Sequence, residues 1–141
     1  MPVLDSYLFF TNGQCAQAMR FYEQTLGARI EMQMKYADSP EPDHCPAGAA
    51  DLVMHASLKV GDRTLMASDV PPGMGDAAPM GGFALSLAYD TAAEGRRIFD
   101  AMAQGGKVTM PMQKTFWAEA FGMLVDRFGT PWMVSGGPQN P

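Results

Sequence analysis

The sequence repeats one order of elements twice, and this repeat restricts the fold more than any other feature. In each half a short apolar strand leads into an amphipathic helix that ends at a glycine, and three further strands follow. Phe21-Tyr22 in the first helix corresponds to Ile98-Phe99 in the second, at a shift of 77 positions. Gly27 and Gly105 correspond at a shift of 78. One half cannot bury both faces of a four-stranded sheet, so two halves are expected to pair around a common core.

The predicted boundaries follow from hydrophobic period and turn residues. Alternation of apolar and polar residues indicates strands, and the i, i+3/i+4 spacing indicates helices. In the first half the pattern predicts strands at residues 3–10, 29–36, 51–60 and 63–69 and a helix at 14–26. A module is therefore expected at 1–69, a linker loop at 70–82, a second module at 83–135 and a tail at 136–141.

The second half repeats the pattern with clearer signals at its element ends. Strands are predicted at residues 83–89 and 107–113, and Thr91 with Glu94 forms a capping box that begins the helix between them. Residues 116–134, FWAEAFGMLVDRFGTPWMV, predict the last two strands as a hairpin around the turn Asp126-Arg127-Phe128-Gly129. This stretch carries both tryptophans of the chain.

Composition excludes several classes of function. The chain has 141 residues, 47% of them apolar and 18% charged, which suits one globular domain. A net charge of −5, with no basic cluster, argues against a nucleic-acid partner. No apolar run approaches the ~20 residues of a membrane span, and the N-terminus lacks the features of a signal peptide. A cytoplasmic protein without a membrane partner is therefore expected.

The sulfur-containing residues suggest packing more than chemistry. Cys15 and Cys45 fit neither a CxxC nor a zinc pattern and are expected to be free thiols. The 13 methionines are an unusually large number. They either fill the core or line a pocket that adapts to its ligand.

Several segments together resemble the vicinal-oxygen-chelate superfamily, which includes glyoxalase I, extradiol dioxygenases and bleomycin-binding proteins. These segments are the run Ala18–Gly27, Met54-His55-Ala56, residues 65–69, Thr115-Phe116-Trp117 and residues 126–132. Within the superfamily the PhnB-like branch is the most similar. The resemblance implies an α+β fold of two paired βαβββ modules, which form curved mixed sheets around a cavity. It also implies a homodimer and, in many members, one divalent metal.

The positions that hold the metal in metal-dependent members carry unsuitable residues here. By the resemblance they correspond to Tyr7, Met66 or alternatively Ser68, Phe83 and Met133. Divalent metals of this family prefer nitrogen and oxygen donors, and thioethers suit Cu(I) instead. We therefore expect no metal and no other cofactor at the family position.

Two further ideas about cofactors are weak. Glu41, Asp43, His44 and Cys45 are four potential donors in five positions, but prolines interrupt them, and a solvated loop is the simpler interpretation. Some PhnB-like proteins carry a demethylubiquinone-methyltransferase label. The turn at residues 11–14 has one glycine, whereas a glycine-rich turn would be needed for the nucleotide-like cofactor of such an enzyme.

His55 is the most interesting titratable residue. In its strand, Leu52, Met54, Ala56 and Leu58 alternate with Val53, His55, Ser57 and Lys59. We expect the first set to face the helix and the second to face a cavity or a partner subunit. There the imidazole would act as an acid or base, or it would simply be hydrogen-bonded to a neighbouring strand.

Other candidates lie near the last hairpin. Glu119 alternates with Trp117 and Phe121, so its carboxylate is either partly buried with a raised pKa or exposed at a sheet edge. Gln113 and Lys114 are candidates for a cavity mouth, and Trp132 is expected in the core. Asp69 is expected to cap a loop. The candidate ligand-binding set is Tyr7, Met66, Ser68, Phe83, Gln113, Trp117 and Met133.

Three functions are consistent with these residues. The first is metal-independent binding of a small molecule in the cavity, as in the bleomycin-binding members. The second is a metal-free enzyme that uses His55 and Glu119 as acid and base. The third is a metal-dependent lyase or dioxygenase, which the residues at the ligand positions oppose.

Overall fold

A computed structural model describes residues 1–40, 45–73 and 79–139 of the chain. The chain divides into two units, Met1–Ala77 and Ala78–Pro141. Each unit contains one mixed four-stranded sheet and one α-helix, so the predicted α+β fold of two βαβββ modules is confirmed.

The first unit carries its helix on one face of the sheet. The strand order is β1-β4-β3-β2, in which β1 and β4 are parallel and the other neighbours are antiparallel. Ala18, Met19 and Tyr22 on the helix are fully buried. The elements are β1 (Ser6–Phe10), α1 (Cys15–Leu26), β2 (Arg29–Lys35), a short 3-10 helix (Tyr36–Asp38), β3 (Val53–Val60) and β4 (Arg63–Asp69).

The second unit repeats this topology. Its strand order is β5-β8-β7-β6, with β5 and β8 parallel. Ile98, Phe99 and Met102 form the buried face of its helix. The elements are β5 (Leu85–Tyr89), α2 (Ala92–Ala103), β6 (Lys107–Gln113), β7 (Ala118–Val125) and β8 (Pro131–Gln139).

The two helices begin in different ways. At α2, Thr91 accepts a hydrogen bond from the backbone N–H of Glu94 at 3.2 Å, as the capping box predicts. At α1 the N-cap residue Gln14 makes no such bond. Instead the carboxylate of Asp69, from the end of β4, accepts a hydrogen bond from the N–H of Cys15 at 2.9 Å. A long-range contact therefore stabilises the start of α1.

The ends of several strands differ from the prediction. β1 begins at Ser6, β3 at Val53 and β5 at Leu85, each two or three residues later than expected. The largest error is at β8, which continues to Gln139 through residues that were expected to form a tail. Glycines and a proline indicate a tail by composition, but Gly136 pairs with Ala120 inside the sheet. Among the described residues, no helix is long and apolar enough to cross a membrane.

Candidate functional site

The first sheet has one face covered by α1 and one that we call the open face. Ala56, Leu58 and Ala67 are fully buried on the covered face. Because side chains alternate along a strand, their sequence neighbours point to the open face. Directly paired residues share a face, and the register aligns Tyr7, Met66, Ser57 and Met32 in one row. Two further pairs belong to the open face, Phe9 with Ser68 and His55 with Met34.

The register places His55 on the sheet face opposite the buried row of Ala56 and Leu58, as predicted. Ala56 and Leu58 are buried, whereas His55 and Ser57 are half-buried on the opposite side. Val53 departs from the alternation, since it is also buried. Its backbone N–H donates to Asp69 at 2.9 Å, and the pairing with β2 shifts register at this end of the strand.

Tyr7 and His55 form the central contact of the open face. The Tyr7 hydroxyl lies 3.0 Å from Nδ1 of His55, and their ring centroids are 5.6 Å apart. These residues belong to β1 and β3, which are separated by β4, so their side chains meet above the intervening strand. The short side chain of Ser68, on β4 at the level of Phe9, leaves room for that approach. Both residues were candidates from the sequence, but their contact was not predicted, because it depends on the parallel pairing of β1 with β4.

Aromatic and thioether groups surround this pair. The rings of Tyr7 and Phe9 are 5.0 Å apart. Three large apolar side chains of the open face remain notably exposed, Tyr7 at 37%, Phe9 at 61% and Met32 at 40%. Exposed apolar groups gathered around one polar pair are typical of a ligand-binding surface.

Asp69 has a structural role that is larger than the predicted loop cap. It is 2% exposed, and its two carboxylate oxygens accept hydrogen bonds from the N–H groups of Cys15 and Val53, each at 2.9 Å. This one side chain therefore joins α1 and β3 to the end of β4. A helix N-terminus is also where a cofactor phosphate would bind, and here the chain's own carboxylate occupies it.

Burial raises the pKa values of the Cys15 thiol and the Tyr36 hydroxyl. Burial, with the nearby charge of Asp69, raises the pKa of Cys15 to about 12, so this thiol is protonated at neutral pH. Burial also raises the pKa of Tyr36, and Tyr7, Asp69 and Cys45 add to this effect. Neither group supplies a nucleophile near the open face.

The candidate residues of the second unit lie in two places. The register aligns Ser86, Met133, Met123 and Met110 in one row, and it pairs Phe121 with Gln113. These residues alternate with Trp132 and Val134, which are buried beside α2. Trp117 precedes β7, and its ring meets that of Phe121 edge-on at 5.4 Å.

Glu119 lies apart from this row, at the far end of the same strands. It is exposed and lines a cleft of about 300 Å³ with Lys114, Thr115, Phe116, Ala118 and Pro138. A β-bulge faces it, because Ala118 pairs with Gln139 while Ala120 pairs with Gly136. Gly137 in this bulge has a φ of 89°, and an added Cβ there would collide with the Glu119 side chain. Glu119 is exposed, as one of the two alternatives required, but it lies near the start of β7, which is an interior strand between β8 and β6 and not a sheet edge.

The prediction placed Phe83 at the start of the fifth strand, and this is wrong. The strand begins at Leu85, and Phe83 is 46% exposed before it. Ser86 pairs with Met133 as Tyr7 pairs with Met66 in the first unit, so Ser86 is the internal counterpart of Tyr7. Ungapped counting from the helix placed the position three residues too early, and the connection before α2, which is two residues shorter than that before α1, accounts for two of them.

The residues at the family's metal positions do not fit a divalent metal. Tyr7 already hydrogen-bonds His55, Met66 and Met133 offer only thioethers, and Ser86 or Ser68 would add a neutral hydroxyl. Within residues 1–40, 45–73 and 79–139, no three His, Cys, Asp or Glu side chains converge on a common point. Glu41, Asp43 and His44 lie outside the described residues, and the Cys45 sulfur lies 3.7 Å from the carbonyl oxygen of Pro46.

A second buried carboxylate, that of Asp126, holds the DRFGTPW segment in its turn conformation. Asp126 is 3% exposed and accepts hydrogen bonds from the backbone N–H groups of Phe128 and Thr130, at 2.8 and 3.1 Å. It also accepts one from the indole N–H of Trp132 at 2.9 Å. Trp132 is buried, as predicted. The segment that is most distinctive in the sequence therefore has a structural role, as the turn of the β7–β8 hairpin.

Comparison with known proteins agrees with this architecture. Residues 4–134 match the family model of the Glyoxalase/Bleomycin resistance protein/Dioxygenase superfamily, and the chain belongs to that superfamily. Protein YjdN of Escherichia coli is 36% identical over 149 residues, which span all of this chain and 99% of YjdN.

Solved structures extend the comparison to three dimensions. Protein PA1353 from Pseudomonas aeruginosa superimposes with a TM-score of 0.85 and 42% identity, over 97% of this chain and all of PA1353. A PhnB protein from Bacillus cereus, which carries a 3-demethylubiquinone-9 3-methyltransferase label, gives a TM-score of 0.74 at 24% identity, over 95% and 98% of the two chains. This second likeness is one of fold, and it agrees with the PhnB-like resemblance in the sequence.

Proposed function

We propose that this protein binds a small, largely apolar molecule on the open face of its first sheet, without the divalent metal of its metal-dependent relatives. The observation that carries the proposal is the Tyr7–His55 hydrogen bond of 3.0 Å within a surface of aromatic and thioether side chains. Ligand sites commonly combine apolar walls with a few oriented polar groups.

The methionines support an adaptable site. Met32 and Met34 on β2 and Met66 on β4 lie on the same face of the sheet as the polar pair. Thioether side chains are flexible and polarisable, and they make favourable contacts with aromatic rings. A ligand with an aromatic or conjugated portion therefore suits this surface better than a sugar or a peptide.

A matched pair of variants tests the location of the site. Phe9→Ala removes an exposed ring from the open face, and Phe116→Ala removes an exposed ring from the Glu119 cleft. A ligand found by thermal-shift screening raises the melting temperature of the native protein, because it binds only the folded state. We expect Phe9→Ala to abolish most of that shift and Phe116→Ala to preserve it. If Phe116→Ala abolished the shift and Phe9→Ala preserved it, the binding site would lie in the second unit.

Metal independence is tested on protein purified without chelators. The donor chemistry predicts less than stoichiometric nickel, zinc, manganese and iron by elemental analysis, and unchanged ligand binding after dialysis against EDTA. Stoichiometric metal that is lost together with ligand binding would contradict this part of the proposal.

An acid–base reaction at His55 is the second candidate. The hydrogen bond from Tyr7 favours it, because this bond orients the imidazole and leaves Nε2 to exchange a proton. Glu119, the partner expected from the sequence, instead lines the cleft with Lys114. His55→Ala distinguishes the two functions, since it would abolish turnover of any identified substrate. Unchanged turnover in that variant would reject the enzymatic alternative.

A further inference from the structure

We infer that Tyr7 fixes the tautomer of His55, so that the site presents the Nε2–H donor and selects ligands that carry a carbonyl or carboxylate oxygen beside an aromatic ring. The inference rests on the proposed function and specifies its ligand class.

The direction of the Tyr7–His55 hydrogen bond determines the tautomer. A neutral imidazole has one N–H donor and one nitrogen lone pair. The phenol is the more acidic partner and the imidazole nitrogen is the stronger acceptor, so the Tyr7 hydroxyl donates to Nδ1 across the 3.0 Å separation. Nδ1 is then unprotonated, and the proton of the neutral ring is on Nε2.

The donor on Nε2 has no protein acceptor. The hydrogen bonds of the described residues give His55 no second partner beyond the Tyr7 hydroxyl. The ring is half-buried, its centroid lies 5.6 Å from that of Tyr7, and its register partner Met34 offers only a thioether, which is a weak acceptor. A polar N–H left unpaired when a ligand covers it costs free energy, so a ligand that supplies an acceptor is favoured over one that does not.

The charges around His55 allow that acceptor to be anionic. In the row of Tyr7 and the neighbouring pairs with Phe9 and His55, no side chain is a carboxylate. Asp69, the acidic residue at the end of β4, pairs with Phe10 on the covered face, and both its oxygens are already engaged. The negative net charge of the whole chain is therefore not concentrated at this site.

Three probes with the same ring separate the two contributions to binding. Naphthoate and acetylnaphthalene carry an acceptor oxygen, and methylnaphthalene, substituted at the same ring position, does not. The native protein is expected to bind the first two about tenfold more tightly than the third, which corresponds to about 1.4 kcal/mol. His55→Phe keeps a flat ring without the N–H donor. In this variant the three probes should bind with about equal affinity.

Nitrogen NMR of isotope-labelled histidine tests the role of Tyr7 directly. The chain has two histidines, and His44→Gln assigns the remaining signal to His55. At about pH 8.5 the neutral ring in the native protein should show the Nε2–H tautomer. Tyr7→Phe should give a mixture of tautomers and reduce the acceptor preference by about threefold or more, whereas Tyr36→Phe should change neither.

The outcomes distinguish this inference from the proposed function. Equal binding of all three probes, together with loss of binding in Phe9→Ala, would leave the open-face site intact and reject the acceptor selection. A predominant Nδ1–H tautomer in the native protein would reject the role assigned to Tyr7. Failure of all three probes to bind would reject the proposed ligand class and the inference together.

Discussion

At the scale of single residues, two buried carboxylates organise the molecule. Asp69 and Asp126 are each almost fully buried and accept several N–H hydrogen bonds; those of Asp69 join α1 to β3, and those of Asp126 close the β7–β8 turn. Buried charges are tolerated when such bonds satisfy them. Both residues precede turns in the sequence, so they read as ordinary turn formers. Nothing local to Asp69 indicated that its partners would be Cys15 and Val53, 54 and 16 positions away.

Asp69→Asn tests this role. The amide keeps the size of the side chain, but one acceptor oxygen becomes an NH2 donor facing an N–H group. We expect the free energy of unfolding to fall by about 1–3 kcal/mol in urea titrations. Asp100→Asn, at an exposed position on α2, should change it by less than about 0.5 kcal/mol. Equal effects in the two variants would contradict the assigned role.

Cys15 should be inert in the native protein. Its thiol is fully buried, and burial with the charge of Asp69 raises its pKa to about 12. In the variant Cys45→Ser, labelling of Cys15 by an aromatic disulfide reagent should be slow and should accelerate in urea as the protein unfolds. Rapid labelling without denaturant would contradict the burial of this thiol.

The raised pKa also has a consequence for stability. The contribution of the protonated thiol is fully present below the unfolded-state pKa of 9.0 and is lost as the pH rises toward about 12. Cys15→Ala should therefore flatten the decline of stability above pH 9.0. This decline is measured by urea titration at successive pH values. If the free energy of unfolding of Cys15→Ala declined above pH 9.0 as steeply as that of the native protein, the decline would be due to other groups.

At the scale of elements, the repeat predicted more than the individual boundaries did. Both helices, the strand count and the strands at Arg63–Asp69 and Lys107–Gln113 agree with the pattern. The hydrophobic period is a local property, so it identifies elements well. Where a strand ends depends instead on how closely its backbone packs against neighbouring strands and helices, which is a tertiary property. Gly136 and Gly137 were expected in a tail because composition alone did not show what they pack against.

Gly136 illustrates that close approach. An added Cβ there would lie 2.5 Å from the carbonyl oxygen of Thr91 and 3.0 Å from the Cα of Ala92, at the start of α2. Gly136→Ala should therefore lower the free energy of unfolding by about 1–3 kcal/mol, because α2 must shift away from β8. Gly81→Ala is the matched control, since its Cβ would meet no atom within 4 Å and its φ is not positive. A Gly136→Ala variant as stable as this control would contradict the packing.

The candidate site was predicted only in part. The sequence named Tyr7, His55, Met66 and Ser68, and the structure places all four on one face. It did not reveal that Tyr7 contacts His55, because contacts between strands depend on register and strand order. It also grouped His55 with Glu119 as acid and base; these residues belong to different units, and their pairing stays a prediction.

At the scale of the whole molecule, family membership predicts self-association. Large apolar side chains are exposed in both units, among them Phe9, Phe83 and Phe116. Where exposed apolar side chains of this size lie together, they are typical of interaction sites. We expect sedimentation at micromolar concentration to show a species of about 30 kDa, twice the chain mass of 15.2 kDa. A 15.2 kDa species alone would contradict a homodimer.

The central claim is that a small molecule binds the open face, and the methionine methyl groups report on it directly. The measurement is an NMR titration of protein with isotope-labelled methionine, using naphthoate as the probe in the presence of EDTA. We predict that the methyl signals of Met32, Met34 and Met66 shift and saturate, whereas those of Met19 and Met102, which are fully buried on the inner faces of α1 and α2, do not. A titration that leaves Met32, Met34 and Met66 unchanged would contradict the account.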